Sequence, residues 1–211
     1  MAISTKAELV TAVENWLNRS DLTARIPEFI SLAEASFNRN LRTRDMLTRS
    51  TAPVSSQYVS LPTDFLEMLN IELTSTTPPK RLIYITSDRS DDYREQKNNK
   101  AGKPSYWTIE GASIQLLPTP DATYTLQLNY YQDIPALSGL ADSGNNWLLL
   151  AHPDVYLYST LMQASPYIMD SQAGQQWDAL LARSMQELQM SDEKSRYAGG
   201  TLNMRPKYIY T

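Results

Sequence analysis

The 211-residue sequence contains no cysteine and a single histidine, His152. Without cysteine there can be no disulfide framework, thiolate zinc site, iron–sulfur cluster or cysteine nucleophile. One histidine cannot build a histidine-rich metal centre. We therefore expect neither a bound metal nor a cofactor.

Glycine is also scarce, with 7 residues scattered along the chain. Neither the G-x-x-x-x-G-K pattern nor the G-x-G-x-x-G pattern occurs. Both patterns place backbone amides around phosphate groups, so their absence removes the usual sequence evidence for a nucleotide site.

Long apolar runs are missing as well. The longest, residues 147–151, is far shorter than the roughly 20 residues that a membrane-spanning helix needs. The N-terminus shows no basic stretch followed by an apolar core, so we expect no signal peptide, synthesis in the cytoplasm and no membrane association. The 19 basic and 23 acidic residues give a formal charge of −4, which argues against a general nucleic-acid binder.

Apolar residues at helical spacing mark the first part of the chain. Thr5 and Glu8 have the spacing of a capping box, which predicts a helix start. Pro27 suits the first turn of a second helix, and Ser20 or Asp21 is predicted to cap it. The apolar stripe of this helix comprises Phe29, Ile30, Ala33, Phe37 and Leu41. The polar residues predicted to face water or a partner are Glu28, Glu34, Arg39, Arg42 and Arg44.

The middle of the chain changes to the two-residue period of β-strands, which is clearest over residues 124–131. Residues 110–112 suit a tight hairpin turn, and a short polar helix is predicted over residues 89–98. We expect these strands to form an antiparallel β-rich region. In the adjacent tyrosines Tyr130 and Tyr131, one ring should face the core and the other should face outward.

Helical spacing returns in the last third. Asn145 or Asn146 can cap a helix, Pro153 predicts a kink or a fresh start, and Asp170 can cap a final helix. The fold class is therefore predicted to be α+β, a helical bundle from both ends of the chain with an antiparallel insertion. The predicted domains are N-terminal helices over 1–45, the β-rich insertion with its polar helix over 46–137, C-terminal helices over 138–198 and an arm over 199–211.

Two clusters of possible chemistry have simpler structural interpretations. His152 could act as the general base of a hydrolase with Asp154 or Asp133, but a lone histidine before a proline usually forms only local hydrogen bonds. A second cluster, comprising Asp88, Asp91 and Asp92, lacks the glycine and the distal glutamate of a calcium loop. The favoured interpretation is a solvated helix start, where carboxylates meet the positive end of the helix dipole.

A local basic cluster comprises Arg39, Arg42, Arg44 and Arg49. These arginines could contact nucleic-acid phosphates or an acidic protein surface. They could also be a solvated helix end, where cations suit the negative pole of the dipole. Both interpretations stay open from the sequence.

Seven segments, ordered along nearly the whole chain, carry a resemblance to a known family. They are residues 3–9 (ISTKAEL), 13–22 (VENWLNRSDL), 26–35 (IPEFISLAEA), 38–44 (NRNLRTR), 61–67 (LPTDFLE), 102–107 (GKPSYW) and 130–137 (YYQDIPAL). In this order they resemble tailed-phage head-to-tail adaptor (connector) proteins of the podovirus tail tubular protein A type. That family combines a helical bundle with a β-rich insertion.

The resemblance implies a structural virion protein at the head–tail interface and no enzymatic activity. It implies a ring, commonly dodecameric, that lies under the portal, extends the DNA channel and docks the tail. The implied partners are the portal protein, copies of the chain itself and a downstream tail or nozzle protein, while genomic DNA passes without specific binding. With the C-terminal arm reaching the portal, the hypothetical interface residues are Arg39, Arg42, Arg44, Tyr197, Leu202, Met204, Arg205, Tyr208, Ile209 and Tyr210.

Two alternatives remain beside the adaptor. One is another neck or tail subunit, such as a stopper, a tail terminator or a tube protein, and these are usually richer in strands. The other is the hydrolase built on His152.

Overall fold

The computed structural model describes residues 3–98 and 100–197, and the predicted stop at Gly199 and Gly200 and the predicted arm lie outside these residues. The chain divides into two compact units. The helical unit contains the residues up to Arg44 and those from Ile134 onward, and the β unit is Asp45–Asp133. The fold class is mixed α+β, as predicted.

The described residues form helices α1 to α6 and strands β1 to β8. The helices are α1 Lys6–Leu17, α2 Ile26–Asn40, α3 Ser87–Gln96, α4 Trp147–Ala151, α5 Pro153–Ile168 and α6 Ser171–Tyr197, with a 3₁₀ turn at Arg44–Met46. The strands are β1 Leu47–Val54, β2 Tyr58–Ser60, β3 Phe65–Leu73, β4 Lys80–Arg81, β5 Ile83–Tyr84, β6 Tyr106–Glu110, β7 Ser113–Leu117 and β8 Tyr124–Gln132.

The first two helices begin in different ways. The capping box of α1 is confirmed, because the Thr5 hydroxyl accepts a hydrogen bond from the Glu8 amide and Glu8 accepts one from the Thr5 amide. The predicted cap of α2 is wrong. That helix starts after Arg25 without a side-chain cap, and the preceding turn is closed through the carbonyl of Leu22 instead. Asp21 pairs with Arg19 at 2.6 Å and is therefore occupied elsewhere.

Helix α5 packs against α1, α2, α4 and α6. The apolar stripe predicted for α2 is entirely buried. Its Phe37 meets Tyr156 of α5 edge-on with 5.1 Å between ring centroids, and Trp16 of α1 meets Trp177 of α6 at 5.3 Å. Aromatic pairs in this geometry add to the apolar burial that joins the helices.

The helix starts in the last third follow the sequence closely. The Asn146 side chain caps α4 by accepting from the Leu149 amide at 2.9 Å. The chain restarts as α5 at Pro153, since a proline fits the first turn but not the interior of a helix. Asp170 caps α6 by accepting from the Ala173 amide at 3.0 Å.

The described residues of the β unit form two four-stranded sheets, ordered β1-β8-β3-β4 and β2-β7-β6-β5. Strand pairing is antiparallel except between β5 and β6, which are parallel, so the purely antiparallel prediction is wrong at this edge. The chain changes sheets at Leu82. The Leu82 amide bonds to the Ile71 carbonyl of one sheet at 2.8 Å, and the next amide, of Ile83, bonds to the Ser105 carbonyl beside the other sheet at 3.0 Å.

A shared core lies under both sheets and includes Leu73, Trp107, Ile114 and Leu128. The hairpin turn at residues 110–112 is confirmed, with Gly111 at φ 59, a conformation that favours glycine. The polar helix begins two residues earlier than predicted. The tyrosine pair is corrected, because Tyr130 and Tyr131 are both buried.

Candidate functional site

The predicted arginines lie at and just beyond the C-terminal end of α2. Arg39 and Arg44 are exposed, as expected for an interface or a solvated helix end. Arg42 is partly buried, and its Nη1 donates to the carbonyls of Asn38 at 2.8 Å and Leu41 at 2.5 Å. These carbonyls would otherwise lack partners at a helix end, so Arg42 caps its own helix.

The last turns of α6 reach this helix end. The Asp192 carboxylate accepts from the backbone amide of Arg44 at 2.7 Å and from Nε of Arg196 at 2.7 Å. Arg196 also donates through Nη2 to the carbonyl of Arg42 at 2.9 Å. We call these four residues, Arg42, Arg44, Asp192 and Arg196, the α2–α6 clasp. It joins two helix ends that lie about 150 positions apart in the sequence.

A cleft of about 230 Å³ lies beside the clasp, with further walls from Asn40, Thr43, Gln189 and Glu193. Thr43 is 4% exposed. Its hydroxyl has no hydrogen-bond partner in the described part of the chain. The walls of the cleft are therefore mostly polar or charged.

The other predicted interface residues lie at or beyond the end of the described chain. Tyr197 is the last residue of α6. The remaining six, Leu202, Met204, Arg205, Tyr208, Ile209 and Tyr210, lie outside the described residues. In the sequence they come after Tyr197, the last described residue, so the clasp lies near the point where the predicted arm starts.

Glu34 is the site that sequence reasoning placed incorrectly. It was predicted to face water or a partner, but it is only 4% exposed. Its Oε1 accepts from the Leu137 amide at 2.6 Å and from the Tyr156 hydroxyl at 3.2 Å. A carboxylate is tolerated inside the helical unit because these donors replace water.

Asn146 extends the same buried network. Its Nδ2 donates to the Tyr156 hydroxyl at 2.6 Å and to the Pro135 carbonyl at 2.7 Å. Asn38 holds the start of the same segment by accepting from the Ile134 amide at 2.9 Å. The network thus fixes residues 134–146, which lead back into the helical unit, against α2 and α5. We call Glu34, Tyr156 and Asn146 the buried triad.

Burial also shifts the pKa values of two members of the triad, Glu34 and Tyr156. Loss of hydration raises the pKa of Glu34 above its usual value of 4.5, and hydrogen bonds from Leu137 and Tyr156 oppose this shift. Burial likewise raises the pKa of Tyr156, which stays protonated and available as a donor. The triad is therefore a buried hydrogen-bonded network inside the helical unit.

The residues considered for catalysis occupy ordinary structural positions. His152 joins α4 to α5, and its amide donates to the Leu148 carbonyl at 2.8 Å. Asp154 lies in the first turn of α5. In the β unit, burial and the nearby Asp64 raise the pKa of Asp133.

The acidic start of α3 carries a local ion pair, since Asp91 pairs with Arg94 one turn later. Across residues 3–98 and 100–197, no group of three acidic or histidine side chains could hold a metal ion. Within the same residues, no helix is long and apolar enough to cross a membrane.

Comparison with known protein families identifies the family of the chain. The family model of the SU10 adaptor protein matches residues 4–205. The chain belongs to the SU10 adaptor protein family. This match confirms the resemblance to phage head-to-tail adaptors and identifies a structural adaptor protein of a phage. The search of curated proteins returned no match.

Proposed function

We propose that this adaptor assembles as a dodecameric ring beneath the portal of a phage particle, where it extends the DNA channel and docks the tail. The observation that carries the proposal is the family match, which extends over residues 4–205. A ring requires two different faces on each subunit that meet head to tail and close by rotation.

The proposed ring subunit has the parts expected from the sequence. The N-terminal helices of 1–45 and the C-terminal helices of 138–198 form its bundle, and the β-rich region of 46–137 is inserted between them. Residues 199–211 are the arm that reaches the portal. The contacts of α5 with α1, α2 and α6 support a bundle, because each pair buries apolar side chains.

The proposed partners are the portal protein, neighbouring copies of the chain and a downstream tail or nozzle protein. Arg39 and Arg44, exposed beside the base of the arm, supply cations for such contacts, since arginine is enriched at protein interfaces. Genomic DNA is proposed to pass without specific binding. The net charge of −4 supports this, because a strongly basic channel would hold the phosphates.

A truncation after Ala198 tests the arm. We expect the truncated protein to keep the circular dichroism spectrum and melting temperature of the full chain but to lose most of its attachment to portal-containing heads in co-sedimentation. Full-length protein purified in parallel is the control. Normal attachment of the truncated protein would contradict the proposed arm.

The alternative of a stopper, terminator or tube subunit receives less support. Those parts are usually dominated by strands, whereas helical residues in the described chain are about twice as numerous as strand residues. A particle in which this chain forms the tail tube would nevertheless favour that alternative over the adaptor ring.

A further inference from the structure

The last part of α6 continues well beyond its apolar anchoring. Leu188, at 3% exposure, is the final buried apolar residue in the described part of this helix, and α6 runs on to Tyr197. That extension is about two and a half helical turns. Met190 within it is 51% exposed, so apolar burial does little to hold these turns in place.

Polar contacts take over where the apolar ones end. Asp192 has a side chain only 12% exposed and bonds both to the amide of Arg44 and to Arg196. Arg196 in turn reaches the carbonyl of Arg42. Because a carboxylate joins a backbone amide and a guanidinium here, these are charge-assisted bonds, the stronger class of hydrogen bond.

A second ion pair on the same helix shows what an ordinary surface pair looks like. Arg183 and Glu187 are linked at 2.9 Å one turn apart, with side chains 77% and 62% exposed. This pair is local to α6 and largely hydrated, so it contributes little. The clasp differs because it is less exposed and binds the helix to a distant segment.

We infer that the α2–α6 clasp, centred on Asp192, is a positioning device that fixes the last turns of α6 to the end of α2 and so aims the arm at the portal. The inference rests on the proposed function of residues 199–211. It deepens that function by naming the residues that set the direction in which the arm leaves the helical unit. Asp192 and Arg196 are thus positioning residues, and contact with the portal belongs to the arm and to the exposed arginines.

Amide hydrogen exchange of the full chain tests whether the clasp fixes the last turns of α6. Asp192→Ala should speed amide exchange in residues 189–197 by about tenfold or more, because the charged acceptor of the clasp is lost. Asp192→Asn should have a smaller effect, since it keeps an oxygen that can accept from the Arg44 amide. Glu187→Gln is the matched control and should leave exchange in residues 189–197 unchanged. Slow amide exchange in α5 serves as the internal control that each variant is folded.

Co-sedimentation with portal-containing heads tests whether the clasp directs the arm towards the portal. Attachment should fall in the order Glu187→Gln, Asp192→Asn, Asp192→Ala, following the loss of protection in α6. Unchanged exchange in Asp192→Ala would overturn the clasp. If Asp192→Ala exchanges faster but attaches normally, and truncation after Ala198 abolishes attachment, the clasp stands but its role in directing the arm is wrong. Normal attachment of the truncated chain would instead overturn the proposed arm itself.

Discussion

A buried triad in the helical unit and a buried glutamine in the β unit differ in how completely their polar atoms are hydrogen-bonded. In the helical unit, the members of the buried triad, Glu34, Tyr156 and Asn146, bond to one another and to backbone groups. In the β unit, Gln115 is completely buried, yet only its Nε2 is used, donating to the Tyr58 hydroxyl at 3.2 Å. Its Oε1 accepts no hydrogen bond in the described part of the chain.

The different hydrogen bonding of the buried triad and Gln115 indicates where polar contacts specify the fold. A fully bonded buried network permits one arrangement of its segments, and here it fixes residues 134–146 against two helices. A half-bonded buried amide carries a desolvation cost and specifies little. Gln115 lies on β7, a strand that the polar helix α3 contacts. We therefore expect the triad to matter more for stability than Gln115 does.

The largest effect should come from Glu34→Ala. This substitution leaves the Leu137 amide and the Tyr156 hydroxyl without their acceptor inside the helical unit, and it should lower the free energy of unfolding by about 3 kcal/mol. Urea denaturation measures the change. Glu28→Ala on the same helix is the control, because Glu28 is 62% exposed in a surface pair and its loss should cost at most about 0.5 kcal/mol. Equal effects of the two substitutions would remove the distinction between the buried triad and the surface.

The pH dependence of stability should also trace to Glu34. Burial raises the pKa of this carboxyl in the folded state, so ionisation is disfavoured there relative to the unfolded chain. The contribution of Glu34 to the free energy of unfolding is thus fully present below its usual pKa and is lost as pH rises through the folded value. Urea denaturation between about pH 4 and pH 8 gives the free energy of unfolding of the unmodified chain and of Glu34→Gln. The difference between the two free energies isolates the pH dependence that Glu34 contributes. A difference that is flat or rises with pH would show that the carboxyl is not buried as described.

Loss of the α1 cap should have an intermediate effect. Thr5→Ala removes the hydroxyl that accepts from the Glu8 amide and should destabilise the protein by about 1 kcal/mol. Thr11→Ala, in the middle of the same helix, is the control and should be neutral or slightly stabilising, because threonine is a poorer helix former than alanine. A cost at Thr11 that matches the cost at Thr5 would argue against a specific capping role.

The smallest effect should come from Gln115→Met. The substitution removes one hydrogen bond to Tyr58, which is 45% exposed and can bond to water instead, and it also removes the unpaired Oε1. The two changes oppose each other, so the free energy of unfolding should change by less than about 1 kcal/mol in either direction. A loss comparable to that of Glu34→Ala would mean that the β unit depends on its buried amide as strongly as the helical unit depends on the triad.

Local signals in the sequence predicted much of this fold. Thr5, Asn146 and Asp170 cap the helices that their positions indicated, and Pro153 starts α5. Each of these signals acts within one turn of helix, so nearby residues contain the necessary information.

The predictions from sequence failed where segments far apart in the chain determine the structure. Glu34 lies on the polar side of the α2 pattern, but residues 134–146 and Tyr156 of α5 pack over it. The parallel edge at β5 depends on the chain changing sheets at Leu82. The arginine-rich end of α2 was recognised as a cluster, but its partner Asp192 stands about 150 positions away with no sequence pattern to link them. Long-range pairing of this kind leaves little trace in one sequence.

Electron microscopy of portal-containing heads mixed with the full-length protein tests the adaptor function most directly. We predict a closed ring of this chain directly under the portal, with the end of α6 directed towards it. Saturated heads that show no ring at the portal, or a ring of this chain elsewhere on the particle, would contradict it.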